Sequence, residues 1–226
     1  MIFSLAKRGA ALLPQLWQQE LKRRQFRSQI HSNTFRTPEP EWDLVGGWLK
    51  PGDWVVDVGA NVGHYTKKFS DVVGATGRVV AFEPVPATFE LLAANAARFV
   101  HNNVTLLNLA ASDATRVLGI SIPNFDTGLK NYYQAALNTS SDGLQVMTCS
   151  LDALALPHRV ALLKIDAEGH DGIVLAGARS MIARDKPIVL IESVSRDVIE
   201  LLTGLGYQSE RIAGSPNVTY RHPTKG

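Results

Sequence analysis

The sequence predicts an α/β fold, with a mostly parallel sheet and helices on both faces. Three observations predict it. Short Val/Ile/Leu runs alternate with helical stretches, a glycine-bearing turn follows the first of these runs, and ionisable residues crowd the end of a later one. Runs that are apolar throughout suit strands buried on both faces, and parallel neighbours need helical crossovers between them.

Residues 1–36 form a basic arm. They hold seven Lys/Arg against Glu20 alone, giving +6, whereas the rest of the chain carries −4. Ile2, Phe3, Leu5, Leu12, Leu13, Leu16, Trp17 and Leu21 precede the cluster Lys22, Arg23, Arg24 and read as a helix. Three roles stand open for it: packing on the body or on a second subunit of a homo-oligomer, lying on a membrane surface, or serving as a targeting segment. Lys7, Arg8 and Pro14 interrupt the apolar stretch, which counts against the last. Thr37-Pro38-Glu39-Pro40 reads as an extended linker, because each proline pushes its predecessor out of helical geometry. The main domain is expected over residues 37–226.

Strands are expected at 54–58, 78–82 and 104–109, with helices at 65–73 and 87–99 between them. Residues 117–149 break the rhythm with two strands (117–122 and 144–149) around a polar middle. Alternation resumes with a strand at 160–165, a helix at 173–183, a strand at 188–191 and a helix at 196–205. A hairpin of 207–212 and 218–221 closes the chain, turned at Gly214-Ser215-Pro216-Asn217. The four tryptophans, Trp17, Trp42, Trp48 and Trp54, read as packing residues.

Composition narrows the function. With 45% hydrophobic and 19% charged residues the chain is neither disordered nor a coiled-coil rod. The single cysteine, Cys149, permits no internal disulfide, so a reducing, cytoplasmic setting is expected. No apolar run approaches the roughly 18 residues that cross a bilayer. The body lacks the basic clustering of a nucleic-acid surface, and no nucleic-acid partner is expected.

The strongest local signal is Asp57-Val58-Gly59-Ala60-Asn61-Val62-Gly63, where an apolar strand runs through a turn into a helix. Gly59 permits the tight turn and close approach of a ligand, and Gly63 permits close packing of the helix on the strand. Twenty residues past Gly63 the second strand ends in Glu83, followed by Pro84. A carboxylate there can accept hydrogen bonds from both hydroxyls of a ribose, which points to an adenosine-type cofactor. The middle glycine that lets a backbone approach a pyrophosphate is missing, and Ala60-Asn61 fills its place. Asp57 would repel a pyrophosphate but suits a cationic amino-acid tail. S-adenosylmethionine is therefore favoured over a dinucleotide. A nucleotide-dependent oxidoreductase and a cofactor-binding scaffold without turnover are the rival readings.

The second constellation is Lys164-Ile165-Asp166-Ala167-Glu168-Gly169-His170-Asp171, with five ionisable residues of eight at the carboxyl end of a strand. Ligands of open α/β sheets bind along that edge, and Glu192 ends the adjacent strand on the same side. Capping of the next helix accounts for Asp171 but not for Asp166, Glu168 and His170.

Taken in order, the Asp57–Gly63 run, Phe82-Glu83-Pro84, Ala110-Ala111-Ser112-Asp113, the Lys164–His170 run and the 187–192 strand resemble the FkbM family of S-adenosylmethionine-dependent methyltransferases. The resemblance covers about residues 52–208. It implies a class I methyltransferase (Rossmann-like) fold, in which a seven-stranded sheet has an antiparallel last strand. It also implies O-methylation of a hydroxyl on a small molecule, sugar or lipid-linked glycan. An aliphatic hydroxyl is a weak acid, so a base or a metal must assist. His170 is the first candidate for the base, since its ordinary pKa lies near neutrality, and Glu168 either orients it or acts itself. Asp166 and Glu192 are the candidates for a Mg²⁺ site, and Asp166 has a second reading as the partner of the methionine amino group. Asn61 and His64 can touch the amino-acid tail or the acceptor. Ser112 and Asp113 are placed for the adenine, and Tyr132 and Tyr133 for the floor of an acceptor pocket.

Overall fold

The computed structural model describes residues 14–125, 130–140, 143–192 and 195–223. Helices α1 (Gln15–His31) and α2 (Glu41–Trp48) lead into β1 (Trp54–Val58), α3 (His64–Val73), β2 (Arg78–Phe82), α4 (Pro86–Ala96) and β3 (Val104–Leu107). Four short strands follow: β4 (Ala110–Ser112), β5 (Val117–Ser121), β6 (Ala136–Asn138) and β7 (Leu144–Ser150). The second half contains β8 (Val160–Ile165), α5 (Asp171–Ala176), α6 (Arg179–Asp185), β9 (Ile188–Ile191), α7 (Arg196–Gly204), β10 (Gln208–Arg211) and β11 (Val218–Arg221).

Seven strands make one sheet, ordered β10-β11-β9-β8-β1-β2-β3. Only β11, last in the chain, runs against its neighbours. This is the class I methyltransferase arrangement that the resemblance implies. The chain leaves β1 towards β2 on one side and returns through β8 on the other. The crevice at that switch of direction is where doubly wound sheets bind ligands.

Strand periodicity sorts the core into two layers. Val56, Val58, Val80, Phe82, Leu163, Ile165 and Ile191 pack with Val174, Leu175, Ile182 and Leu202 of α5, α6 and α7. Val55, Val79, Leu162 and Leu190 pack on the other face with Trp42, Val45, Tyr65, Phe69 and Val73 of α2 and α3. The same parity puts Asp57 and Lys164, cross-strand partners in register, on the α2/α3 side of the sheet.

Several elements depart from the sequence-based expectation, including β6 within the middle of 117–149. The third strand stops at Leu107, because Asn108 turns its side-chain amide onto the carbonyls of Glu83 (2.8 Å) and Pro84 (3.0 Å). The chain then crosses as β4 into a second sheet, ordered β4-β7-β5-β6. The helix expected over 173–183 breaks in two at Gly177, where a Cβ would lie 2.0 Å from the Ser112 carbonyl oxygen. Helix α2 was not expected; its signals are a proline entering the first turn and acidic Glu41 and Asp43 within it.

Helix α1 lies on the body. Phe26 and Phe35 are buried with Val62 and Leu91, and Arg23 pairs with Glu90 on α4 at 3.3 Å. The ring of Phe35 is 4.2 Å from that of His64 and 5.6 Å from that of Phe26. Trp42 is buried, but Trp17 is 64% exposed and does not pack as its type suggests. No helix among the described residues is long and apolar enough to cross a membrane. Phe35→Ala is expected to cost about 3 kcal/mol of stability and to detach the arm. Limited proteolysis would then cut near residues 32–40 much faster than in the parent, and an unchanged cleavage rate would refute the docking role.

Candidate active site

The turn after β1 is built around Glu83. Gly59 (φ +73°) and Ala60 donate their N–H groups to the carbonyl of Phe82, at 3.1 and 2.9 Å. Asn61, itself left-handed at φ +50°, donates its N–H to Glu83 Oε2 at 2.9 Å. Val85 donates to Glu83 Oε1 at the same distance. One carboxylate thus ties the turn to the start of α4. Burial pushes the Glu83 carboxyl up to about 7; the two N–H donors oppose that rise, and the charges of Asp166 and Asp57 add to it. Gly63 (φ +97°) does its packing against α4 rather than against the strand, since a Cβ there would meet Leu92 Cδ1 at 2.7 Å.

Across the crevice, the loop after β8 brings its backbone to the same turn. Asp166 donates its N–H to the carbonyl of Val58 at 3.2 Å. Its own carbonyl oxygen occupies the space a Cβ on Gly59 would need. The close approach that Gly59 permits is therefore first an approach of the protein's own backbone. Beyond it, Glu168 (φ +47°) and Gly169 (φ +87°) form a tight left-handed turn, and Asp171 Oδ1 accepts the Ala167 N–H at 3.2 Å.

Between the two loops is a cleft of about 600 Å³. Gly59, Asn61, Glu83, Asp166 and Glu168 line its polar end; Pro84, Val85, Ala110, Ile120, Tyr132 and Leu137 line its apolar end. Partial burial pushes the Glu168 carboxyl up to about 7, helped by the negative charges of Asp166, Glu192 and Asp171.

The structure separates two residues that the sequence had put together. His170 is outside the cleft lining, and its Nε2 is 3.0 Å from Ser112 Oγ. Burial holds its pKa below the ordinary histidine value. Of the two, Glu168 is the residue that lines the cleft. Ser112 is buried, also bonds Asp113 Oδ1 (3.1 Å), and leaves the cleft wall to Ala110 and Ala111; Asp113 pairs with Arg116. Asp57 is likewise outside the lining. It is fully buried, accepts a 2.6 Å hydrogen bond from Thr66 Oγ1, and its Oδ1 has no hydrogen-bond partner among the described residues. Burial raises its pKa, and the Lys164 ammonium works against that rise.

Lys164 is 4% exposed, lies 3.2 Å from Asp166 Oδ2 and sits over the Tyr65 ring at 5.1 Å. Burial disfavours its charge, but Asp166 and Asp57 outweigh that and hold its pKa above the ordinary lysine value. His64 faces Phe35 and Phe26 rather than the cleft, and burial lowers its pKa to about 4, so it is a neutral packing ring at pH 7. Tyr132 lines the cleft at the apolar end, beneath Lys22 Nζ of α1 at 5.7 Å. The side chain of Tyr133 lies outside the described residues. Sequence reasoning missed Val85, Ile120, Ala135 and Leu137, the apolar wall supplied largely by the second sheet; the weak alternation at 117–122 was its only signal.

A Mg²⁺ site does not fit these residues. Glu192 is exposed, and no group of three or more metal-type side chains exists among the described residues. S-adenosylmethionine fits better. The cleft offers a carboxylate for ribose hydroxyls, apolar walls for a purine, and an acidic end for a cation.

Residues 57–209 match the model of the Methyltransferase FkbM domain, two thirds of the chain. The chain belongs to the FkbM family of S-adenosylmethionine-dependent methyltransferases. Its structure is similar to the methyltransferase FkbM of Methylobacillus flagellatus KT, with a TM-score of 0.59, 20% identity, and coverage of 83% of this chain and 48% of that one. The FkbM chain described here thus spans about half the length of that relative. A putative rRNA-methylase from Clostridium thermocellum (TM-score 0.50, 15% identity, 80% and 90% covered) shares the fold. So does an S-adenosylmethionine-dependent O-methyltransferase from Thermotoga maritima (TM-score 0.50, 12% identity, 82% and 65% covered). No curated protein matches the sequence.

Proposed function

We propose that this FkbM protein methylates a hydroxyl oxygen of a small molecule, sugar or lipid-linked glycan, with Glu168 as the general base. The observation that carries the reading is a carboxyl with pKa raised to about 7, lining the same cleft as Glu83 and the Gly59 turn. When bound, S-adenosylmethionine supplies a methyl group electrophilic enough to need no activation by the protein. The residues' work is then to hold both partners in line and to take one proton. In this reading Glu83 accepts hydrogen bonds from the ribose hydroxyls, Val85, Ala110, Ile120 and Leu137 cover the purine, and Asp166 faces the cationic tail. Glu168 accepts the acceptor's hydroxyl proton on a carboxylate oxygen. The test is incubation with methyl-labelled S-adenosylmethionine and a panel of hydroxylated acceptors, followed by mass spectrometry of the product. Label on oxygen supports the reading; label only on nitrogen or carbon, or binding of NAD(P) in its place, overturns it.

The raised pKa of Glu83 gives a pH signature. A ribose hydroxyl donates to the ionised carboxylate, so binding pulls the Glu83 pKa down and releases a proton when the free group is protonated. Affinity is expected to rise with pH up to about 7 and then level. In Glu83→Gln it should be weaker by roughly 1–3 kcal/mol at pH 8 and nearly independent of pH. Calorimetric titration across pH 5–8 checks both, and a flat profile for the unaltered protein would remove Glu83 from the ribose site.

A further inference from the structure

Outside the cleft, α1 carries a second surface. Trp17, Leu21, Arg24, Ser28 and His31 recur at alternating spacings of four and three residues, so they form one stripe along the helix. Phe26, buried against the body, is on the opposite side. Trp17 is 64% and Leu21 48% exposed. Beside this stripe a groove of about 1290 Å³ runs between α1 and the body, lined by Arg24, Arg27, His31, Lys67 and Arg98, with Val100 (80% exposed) at its margin. Glu20 pairs with Arg24 at 3.2 Å and Asp71 with Lys67 at 2.5 Å. Among the described residues, neither Arg27 nor Arg98 has an acidic partner.

We propose that this stripe and groove dock on the phosphate groups of an anionic lipid surface. The two unpaired guanidiniums fit phosphate oxygens by charge and by fork geometry. The groove is open along its length, which suits several headgroups better than one enclosed ion. Trp17 and Leu21 set an amphipathic ring and an aliphatic chain on the same stripe, as expected at a headgroup–acyl boundary; phosphate recognition alone gives no use for Leu21. The cations are split between α1 and the body, so the surface exists only while Phe26 and Phe35 keep the arm docked. The proposal concerns binding alone and stands whether or not the acceptor proves to be a hydroxyl.

Flotation of the full chain with vesicles tests it. Vesicles of phosphatidylcholine mixed with phosphatidylglycerol should carry the protein, phosphatidylcholine alone should not, and raised salt should release it. The double variant Arg27→Gln/Arg98→Gln should partition about 30-fold less, from about a kcal/mol per cation at such a surface. Both positions are outside the cleft, so S-adenosylmethionine titration of the variant should match the parent and report that it is folded. Trp17→Ser should also weaken flotation. Absence of flotation, equal flotation with both vesicle types, or flotation indifferent to the double variant would each overturn the proposal. Saturable calorimetric binding of inorganic phosphate without flotation would assign the groove to a free phosphate instead. Binding of a single-stranded RNA probe with no binding to vesicles would assign it to a nucleic acid.

Discussion

Glu168→Gln is expected to lower methyl-transfer turnover by about 10²–10⁴-fold while leaving S-adenosylmethionine affinity nearly unchanged. The amide keeps the size of the carboxyl and the left-handed backbone at φ +47°, so the loop geometry survives and only the proton acceptor is lost. The sign of the pH dependence follows from the same group. A base works when ionised, and the Glu168 carboxyl is raised to about 7. Turnover of the parent should therefore climb through pH 7 and level above it, and the variant should lose that limb. His170→Ala is the contrasting case. It removes the ring at Ser112 Oγ, outside the cleft, and should reduce turnover less than tenfold. Steady-state kinetics of both variants across pH 6–9 decides the matter. A near-normal Glu168→Gln beside an inactive His170→Ala would return the role to the histidine.

The choice between these two residues marks where the sequence stops being legible. The strands of the parallel sheet, the closing hairpin and the two loops at its switch point could be read from apolar runs, glycines and the ionisable cluster, whereas the antiparallel direction of the last strand was implied by the family resemblance. These features depend on residues near in sequence or on the parity of a strand. Choosing between Glu168 and His170 depends on something else. Glu168 and Gly169 both take positive φ, so the chain reverses within two residues and sends neighbouring side chains to different surroundings. No spacing rule encodes that. Asp57 illustrates the same limit on a strand. Parity puts it beneath α3, paired with Thr66 and facing Lys164, and the carboxylate two residues before Gly59 becomes a buried charge partner. The apolar wall was hidden for a third reason: Ile120 and Leu137 reach the cleft through a second sheet whose pairing is non-local.

Among the described glycines, Gly59→Ala should have the largest structural effect, because it alone combines a positive φ with a Cβ under 2.5 Å from a backbone atom. Two independent costs coincide there. The residue holds φ +73°, where an L side chain is strained by about 1–2 kcal/mol. The new Cβ would also sit 1.9 Å from the Asp166 carbonyl oxygen, a backbone atom that no rotamer change can move aside. Relief requires the turn after β1 and the loop after β8 to separate, with an overpacking cost of about 1–3 kcal/mol more. The separation acts directly on the site. It strains the Asp166 N–H bond to Val58, displaces the Asn61 N–H from Glu83, and shifts Glu168 relative to the cleft. Urea unfolding should therefore show a loss of about 2–5 kcal/mol, and calorimetry should detect no S-adenosylmethionine binding even where the variant remains folded. Gly74→Ala supplies the control for strain alone. Its φ is +66° but open space surrounds its Cβ, so it should cost only the backbone term and leave binding intact. Equal losses in the two variants would mean that Asp166 yields freely, and that the two loops are not held together by the close approach at Gly59.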